Sequence, residues 1–289
     1  PRKKTQRCPP MLHLAILATP PSVTLNNGVA MPVVAFGANV WDAPTCKTAT
    51  LAALDAGFRF VWSSQLVGAG CQTAQGEAMA ESGVARSDIF VAGTADTGSC
   101  SSRDSCYSQT RAAAAAQFGY LNETRLDMLM LDYPSSTAGC DAILGQWHAF
   151  EELYAAKRVR TIAVSNFSPE QLGCITSNKS ATVPSVNQLN FHVGASLDVV
   201  AKNVALGVVV QAYSPLGSGS LASAPLLQTI GKAHSKSAAQ VALKWILQHN
   251  VTINTQSTNA AHLRDDTALF DFALSAHEMT ELDHFVPRR

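Results

Sequence analysis

Arg158–Leu172, RVRTIAVSNFSPEQL, is the stretch from which the fold can be read. Val159–Val164 is short, β-branched and largely apolar, the pattern of a strand covered on both faces. Ser165 and Asn166 place two small polar side chains where that strand ends. Ser168-Pro169-Glu170 then opens a helix, with Ser168 as N-cap and Pro169 at the first helical position. A buried parallel strand that delivers polar groups at its C-terminal end and runs straight into a helix is one βα unit of an α/β enzyme. The Ser-Asn pair serves equally well as a plain helix cap, so this stretch alone fixes the unit and not its use.

Outward from this unit the same alternation repeats. Asn27-Gly28, inside VTLNNGVAMP (Val23–Pro32), signals a two-residue hairpin. Buried strands are expected at Val33–Phe36, Phe58–Trp62, Ile89–Gly93, Leu126–Leu131, Val183–Gln188, Gly207–Ala212 and Thr252–Asn254. Helices are expected at Pro44–Gly57, Thr73–Ser82, Ser108–Gly119, Gly145–Lys157, Ala224–His234 and Ser237–Gln248. Eight short parallel strands joined by crossover helices close naturally into a (β/α)8 TIM barrel, here with an N-terminal β-hairpin. A doubly wound open sheet competes, but no GxGxxG follows the first strand.

Composition narrows the classes. The 289 residues carry 21 basic and 21 acidic side chains, so a nucleic-acid partner is not expected. Charged residues make up 15% and hydrophobic ones 47%, which implies a large core. The seven cysteines, Cys8, Cys46, Cys71, Cys100, Cys106, Cys140 and Cys174, show no CxxC spacing, and neither a metal site nor a disulfide framework is signalled. They read mostly as reduced thiols of a cytoplasmic protein, although Cys100 and Cys106 flank a Ser-rich loop and could pair. Residues 1–22 begin with basic residues followed by an apolar run, Leu12–Ala18, a pattern that mimics a signal peptide although the run is barely long enough. They are expected to form a loosely attached tail before a barrel unit at 23–289. No later run reaches membrane-span length, so no membrane partner is expected.

Several stretches, in order, resemble the aldo-keto reductase family: LNNGVAMPVVAFG, GEAMAESGVARSDIFV, AFEELYAAKRVRTIAVSNFSPEQL, PSVNQLNFH, VVVQAYSPLG, AAQVALKWILQ and STNAAHLRDD. The resemblance implies the barrel and a family chemistry of hydride transfer between a nicotinamide and a carbonyl. In that chemistry a tyrosine donates the proton, supported by a lysine, an aspartate and a histidine. Matched residue by residue, Trp62 stands where the aspartate belongs and Val67 where the tyrosine belongs. Thr94 replaces the lysine, and Asp132, in Asp132-Tyr133-Pro134, replaces the histidine. The resemblance also implies a carboxamide site at Ser165, Asn166 and Gln188, ring stacking on Tyr213, and a pyrophosphate loop containing Ser214 and Leu216. Ser257 and Thr258 fall in the loop that grips a ribose 2′-phosphate. There the family's lysine is Gln256, its arginine is His262, and its closing Glu-Asn pair is Asp265-Asp266. Two cations are replaced and an anion is added, which disfavours NADPH.

The catalytic candidates are therefore Asp132, Asp96, Tyr133 and Trp62. Two carboxylates in a partly apolar pocket can have their pKa values driven apart and act as acid and base. Asn39, Ser63, Ser64, Gln65, Leu66, Val67 and Thr94 are expected to shape the substrate pocket. His192 reads as structural. With the tetrad replaced, the expectation is a redox-neutral cyclisation, dehydration or isomerisation of a small, largely apolar metabolite. Such a step would require no cofactor and would leave only weak NAD(P)(H) binding. The alternatives are a non-catalytic nucleotide-binding subunit, like the potassium-channel β subunits of the wider family, and an atypical NAD(P)H-dependent oxidoreductase. A monomer or weak homo-oligomer is expected.

Overall fold

The structure is a computed structural model describing residues 21–137 and 139–286. An antiparallel hairpin, β1 (Ser22–Thr24) with β2 (Ala30–Pro32), precedes eight parallel strands. These are β3 (Val34–Gly37), β4 (Phe60–Ser63), β5 (Phe90–Asp96), β6 (Leu126–Asp132), β7 (Val159–Ser165), β8 (Val186–Asn190), β9 (Val209–Tyr213) and β10 (Thr252–Thr255). They pair in sequence order, and β10 returns to β3 with Ile253 opposite Val34, which closes the barrel. The helices are α1 (Ala43–Asp55), α2 (Ala69–Glu81), α3 (Arg103–Tyr120), α4 (Asp141–Ala155), α5 (Pro169–Thr176), α6 (Asp198–Val204), α7 (Pro225–His234), α8 (Ala238–Gln248), α9 (Ala260–Thr267) and α10 (Ala276–Asp283). The expected (β/α)8 barrel is the observed one, and residues 1–20 of the expected tail lie outside the described residues.

Inside the barrel the side chains alternate, and Ala35, Phe60, Trp62, Phe90, Ala92, Met128, Met130, Ala163 and Val186 form one inner cluster. Leu25 and Met31 of the hairpin join its lower end, so the hairpin closes the floor. Its turn differs from the expected two residues. Gly28 N donates to Leu25 O and Leu25 N donates to Val29 O, giving a three-residue turn with Gly28 at φ +82. That positive φ is the position glycine fills at no steric cost. The larger cores lie between sheet and helices, one containing Trp245 and Phe191, the other Trp147 and Phe150.

Local chemistry sets the element ends. Ser168 accepts from Gln171 N at 3.2 Å as the expected N-cap, and Gln171 Oε1 accepts from Ser168 N at 2.9 Å, which completes a reciprocal capping box. The same device moves the start of α3. Ser102 caps Ser105, so the helix begins at Arg103 and not at Ser108, because a serine run that reads as loop supplies a capping box. Strands β8 and β9 run two or three residues later than expected at their starts and end in polar residues, Asn190 and Tyr213. Helices α6, α9 and α10 are absent from the expected set; each is only seven or eight residues long, too short for its period to stand out.

Apart from Cys100 and Cys106, which pair across their Ser-rich loop as their positions allow, the cysteines depart from expectation. Cys46–Cys71 joins α1 to α2, Cys100–Cys106 ties the exit loop of β5 to α3, and Cys140–Cys174 joins the start of α4 to α5, with Cα separations of 5.4, 5.0 and 5.2 Å. Six of the seven are thus disulfides and not free thiols; Cys8 lies outside the described residues. Spacing alone did not reveal this, because two of the three bridges join separate helices 25 and 34 residues apart.

Candidate functional site

Strand register brings one polar row to the C-terminal mouth. Asp96 lies opposite Asp132, Asp132 opposite Ser165, Ser165 opposite Gln188, and Gln188 opposite Gln211. Above this row opens a cavity of about 300 Å³. Trp62, Asp132, Ser165, Gln188, Tyr213 and Asn254 line it, together with Asn39, Ser64, Leu66, Val67, Tyr133, Asn166 and Ser214. The C-terminal mouth is where this architecture carries its active sites. Three lining residues immediately follow strand ends with left-handed backbone: Tyr133 (φ 70), Asn166 (φ 62) and Ser214 (φ 49). Asparagine tolerates that conformation, whereas tyrosine and serine adopt it at a cost on the order of 1–3 kcal/mol, and such strain gathers at functional sites.

Asp132 is the chemically distinctive group. It is 3% exposed, and Ser64 Oγ donates to its Oδ2 at 3.4 Å. Burial pushes its pKa up to about 6; the hydroxyls of Ser165 and Ser64 oppose the rise, and the Asp96 charge adds to it. Burial also raises the phenols of Tyr133 and Tyr213, each with help from the Asp132 charge. Asp132 is therefore the lining acid poised nearest neutrality. Trp62 forms the inner wall, 9% exposed, with an indole N–H that makes no hydrogen bond. A Cβ at Gly37 would stand 3.1 Å from the Trp62 ring and 2.8 Å from Asn254 Oδ1, so only glycine leaves room there. Val40, Leu66 and Tyr133 are exposed at the rim and give the entrance an apolar edge.

Seven expected members do not line the cavity. Ser63 is buried and pairs with Gln72 of α2, because the residue after inward-facing Trp62 points outward. Thr94 Oγ1 accepts from Gln65 N at 2.9 Å and Gln65 Oε1 accepts from Asp96 N, so Thr94 and Gln65 brace the loop beneath the mouth. Asp96 stands next to Asp132, yet its carboxylate accepts from Gly98 N at 3.2 Å in its own exit loop. Leu216 packs on the outer core, Ser257 Oγ accepts from Asn259 N at 3.0 Å, and Thr258 is exposed. His192 is structural as expected, pairing through Nδ1 with Val193 O at 2.9 Å. Gly37, Ala38, Val40, Pro215, Asn254 and Thr255 line the cavity without having been singled out as pocket residues. Inward parity on β3 and β10 was the signal for Gly37 and Asn254.

The polar set beside Asp132 suits a primary carboxamide. Asn166 Nδ2 donates to Ser165 Oγ at 2.9 Å, Tyr213 OH donates to Asn166 Oδ1 at 3.1 Å, and Gln188 Nε2 donates to Gln211 Oε1 at 2.8 Å. Two amides and a hydroxyl on one wall, with the Tyr213 ring beside them, offer both donors and acceptors. Further along, β10 leads through Gln256 to α9, which carries the exposed Arg264 in its last turn.

Asp266 of α9 is buried, and burial pushes its pKa up to about 7. Thr255 Oγ1 faces the carboxyl and opposes the rise without reaching standard hydrogen-bond geometry, while Asp265 adds to it. The folded pKa lies above the unfolded value of 3.8, so the folded state is favoured at low pH and loses that advantage as pH rises to about 7. Asp266→Asn should consequently raise the Tm at pH 8 by an amount equivalent to a few kcal/mol, with a gain that shrinks towards pH 4. Thermal melts across that range check this, and a gain independent of pH would refute it.

The chain belongs to the aldo/keto reductase family, whose model matches residues 35–287. It is 33% identical over 278 residues to morphine 6-dehydrogenase of Pseudomonas putida, with 91% of this chain and 90% of that protein covered. It is 32% identical to the 9,11-endoperoxide prostaglandin H2 reductase of Trypanosoma cruzi, covering 90% of each. Among solved structures, an aldo-keto reductase from a Medee basin deep-sea metagenome superposes with TM-score 0.83 at 26% identity, covering 91% of this chain and 93% of the other. These findings correct the expectation that no cofactor is required. The relatives are named dehydrogenases and reductases, and such chemistry uses a nicotinamide. No helix among the described residues is long and apolar enough to cross a membrane.

Proposed function

We propose that this protein is an NAD(P)(H)-dependent oxidoreductase acting on a small, largely apolar carbonyl compound or the corresponding alcohol, with Asp132 as the proton-transfer group. The observation that carries this reading is one cavity holding both a carboxyl raised to about 6 and, on the adjoining strands, a Ser165–Asn166–Gln188 carboxamide site. A nicotinamide bound there would supply or accept the hydride. Ser165, Asn166 and Gln188 would hold its carboxamide, and Tyr213 would offer its ring face for stacking. Asp132 gives its proton to the carbonyl oxygen in reduction and removes it from the hydroxyl in oxidation. Ser64 orients that carboxyl, and Trp62 and the apolar rim exclude water and select an apolar substrate.

The nucleotide preference follows from charge. Gln256 and His262 offer no fixed cation to a 2′-phosphate, and of the two acids that follow on α9 Asp265 is exposed whereas Asp266 is buried. Each missing charge-assisted hydrogen bond weakens NADPH by about 1.5–3 kcal/mol. NADH should bind at least tenfold more tightly than NADPH, and Gln256→Lys with His262→Arg should reverse the order. Titration by quenching of tryptophan emission measures both. Carbonyl-dependent oxidation of NADH across a panel of aldehydes and ketones then tests the activity. Tight nucleotide binding with no turnover of any carbonyl would overturn the oxidoreductase reading in favour of a nucleotide-sensing subunit.

A further inference from the structure

The three disulfides and four Asn-x-Ser/Thr triplets bear on each other. The triplets are Asn122-Glu123-Thr124, Asn166-Phe167-Ser168, Asn178-Lys179-Ser180 and Asn250-Val251-Thr252; none has proline at the second position, and only the Asn166 triplet is followed by one, Pro169. Such triplets accept N-linked sugar only in the secretory pathway, which is also where protein thiols are oxidised in pairs. The fold divides the four sharply. Asn166 is part-buried in the cavity, with Nδ2 bound to Ser165 Oγ and Oδ1 to the Tyr213 hydroxyl. Asn122, Asn178 and Asn250 are exposed, and none of their Nδ2 atoms makes a hydrogen bond among the described residues.

Their positions are equally ordered. Asn122 lies between α3 and β6, Asn178 between α5 and β8, and Asn250 between α8 and β10. All three are helix-to-strand connections, which sit at the N-terminal ends of the barrel strands, opposite the cavity mouth. Asn122 (φ 53) and Asn250 (φ 58) close their helices in left-handed conformation, and Asn178 Oδ1 accepts from Ser180 N at 3.1 Å. The left-handed backbone explains an asparagine after a helix, but not the threonine two residues on. A bulky sugar on any of the three would project from the floor and leave the mouth open.

We propose that Asn122, Asn178 and Asn250 carry N-linked glycans, added in the oxidising compartment where Cys46–Cys71, Cys100–Cys106 and Cys140–Cys174 form. The amide Nδ2 of each asparagine displaces a lipid diphosphate from C1 of a lipid-linked oligosaccharide. The new N–C bond replaces the sugar–phosphate bond, and the amide gives up one proton. Each cysteine pair yields two electrons and two protons to the disulfide of a thiol oxidoreductase. Asn166 remains unmodified, since sugar there would fill the cavity.

The test is made on the full chain captured by antibody from the cells that produce it. The unreduced protein is denatured and alkylated, then deglycosylated in heavy-oxygen water with a glycoamidase, which hydrolyses the side-chain amide bond of each sugar-bearing asparagine and leaves a labelled aspartate. Peptide mass spectrometry should find the label at Asn122, Asn178 and Asn250, none at Asn166, and the six paired cysteines unalkylated. Unlabelled asparagines at all three sites with alkylated cysteines would overturn the whole proposal. Intact disulfides with no label would overturn the glycans. Label at Asn166 would overturn the assignment of the sugars to the closed face.

Discussion

Asp132→Asn is expected to lower kcat for carbonyl reduction by about 10²–10⁴-fold while leaving NADH affinity within a few-fold of the parent. Asparagine keeps the side-chain volume, and its amide oxygen can still accept from Ser64 Oγ, which lies 3.4 Å from Asp132 Oδ2. What the substitution removes is the exchangeable proton. The pH profile separates this from damage to the fold. Reduction uses the protonated carboxyl and oxidation the carboxylate, and the group titrates at about 6. The reductive rate should fall about tenfold per pH unit above that value, whereas the oxidative rate should rise through it and level off. Tyr133→Phe and Tyr213→Phe remove phenols that burial holds above their ordinary range, and each should cost far less than Asp132→Asn. An Asp132→Asn protein with undiminished reduction and an unchanged pH profile would rule out this carboxyl as the proton donor.

The barrel was legible because its strands are short, apolar and regularly punctuated, and burial on both faces leaves no other use for runs such as Leu126–Leu131. The mouth was legible in part. Ser165, Asn166 and Asp132 stand at strand ends, and alternation turns the inward-facing ones of them into the cavity. Ser63 was misplaced because the sequence shows a polar cluster, whereas the strand sends Trp62 and Ser63 to opposite faces. Asp96 has the right parity but spends its carboxylate on Gly98 N, a loop contact that no spacing reveals. The left-handed turns at Tyr133 and Ser214 were equally hidden, because neither residue type advertises a positive φ. The two inter-helix disulfides were invisible for a different reason. Cys46 meets Cys71, and Cys140 meets Cys174, only once neighbouring helices dock on the barrel, so the pairing belongs to the fold and not to the sequence pattern.

Those cross-links carry the second large expected effect: reduction should lower the Tm by about 10 °C or more. The Cys46–Cys71 and Cys140–Cys174 bridges close loops with separations of 25 and 34 residues. By loop-closure entropy each restricts the unfolded chain by about 3 kcal/mol, whereas Cys100–Cys106, with a separation of 6, contributes less. For a chain of this size 1 kcal/mol corresponds to about 2–4 °C. The core is large enough for the reduced barrel to fold, so the reduced protein should still melt cooperatively, only earlier. The bridges should also differ in what they do to function. Cys46 and Cys71 cluster with Ala38 and with Val67, both of which line the cavity, so Cys46→Ser/Cys71→Ser should weaken nucleotide or substrate binding as well as stability. Cys140–Cys174 lies away from the lining residues, and Cys140→Ser/Cys174→Ser should lower the Tm with binding unchanged. Calorimetric melts with and without reductant, beside nucleotide titrations of the two double variants, resolve these effects. Coincident melts of the oxidised and reduced protein would show that the cross-links add nothing to what packing already fixes.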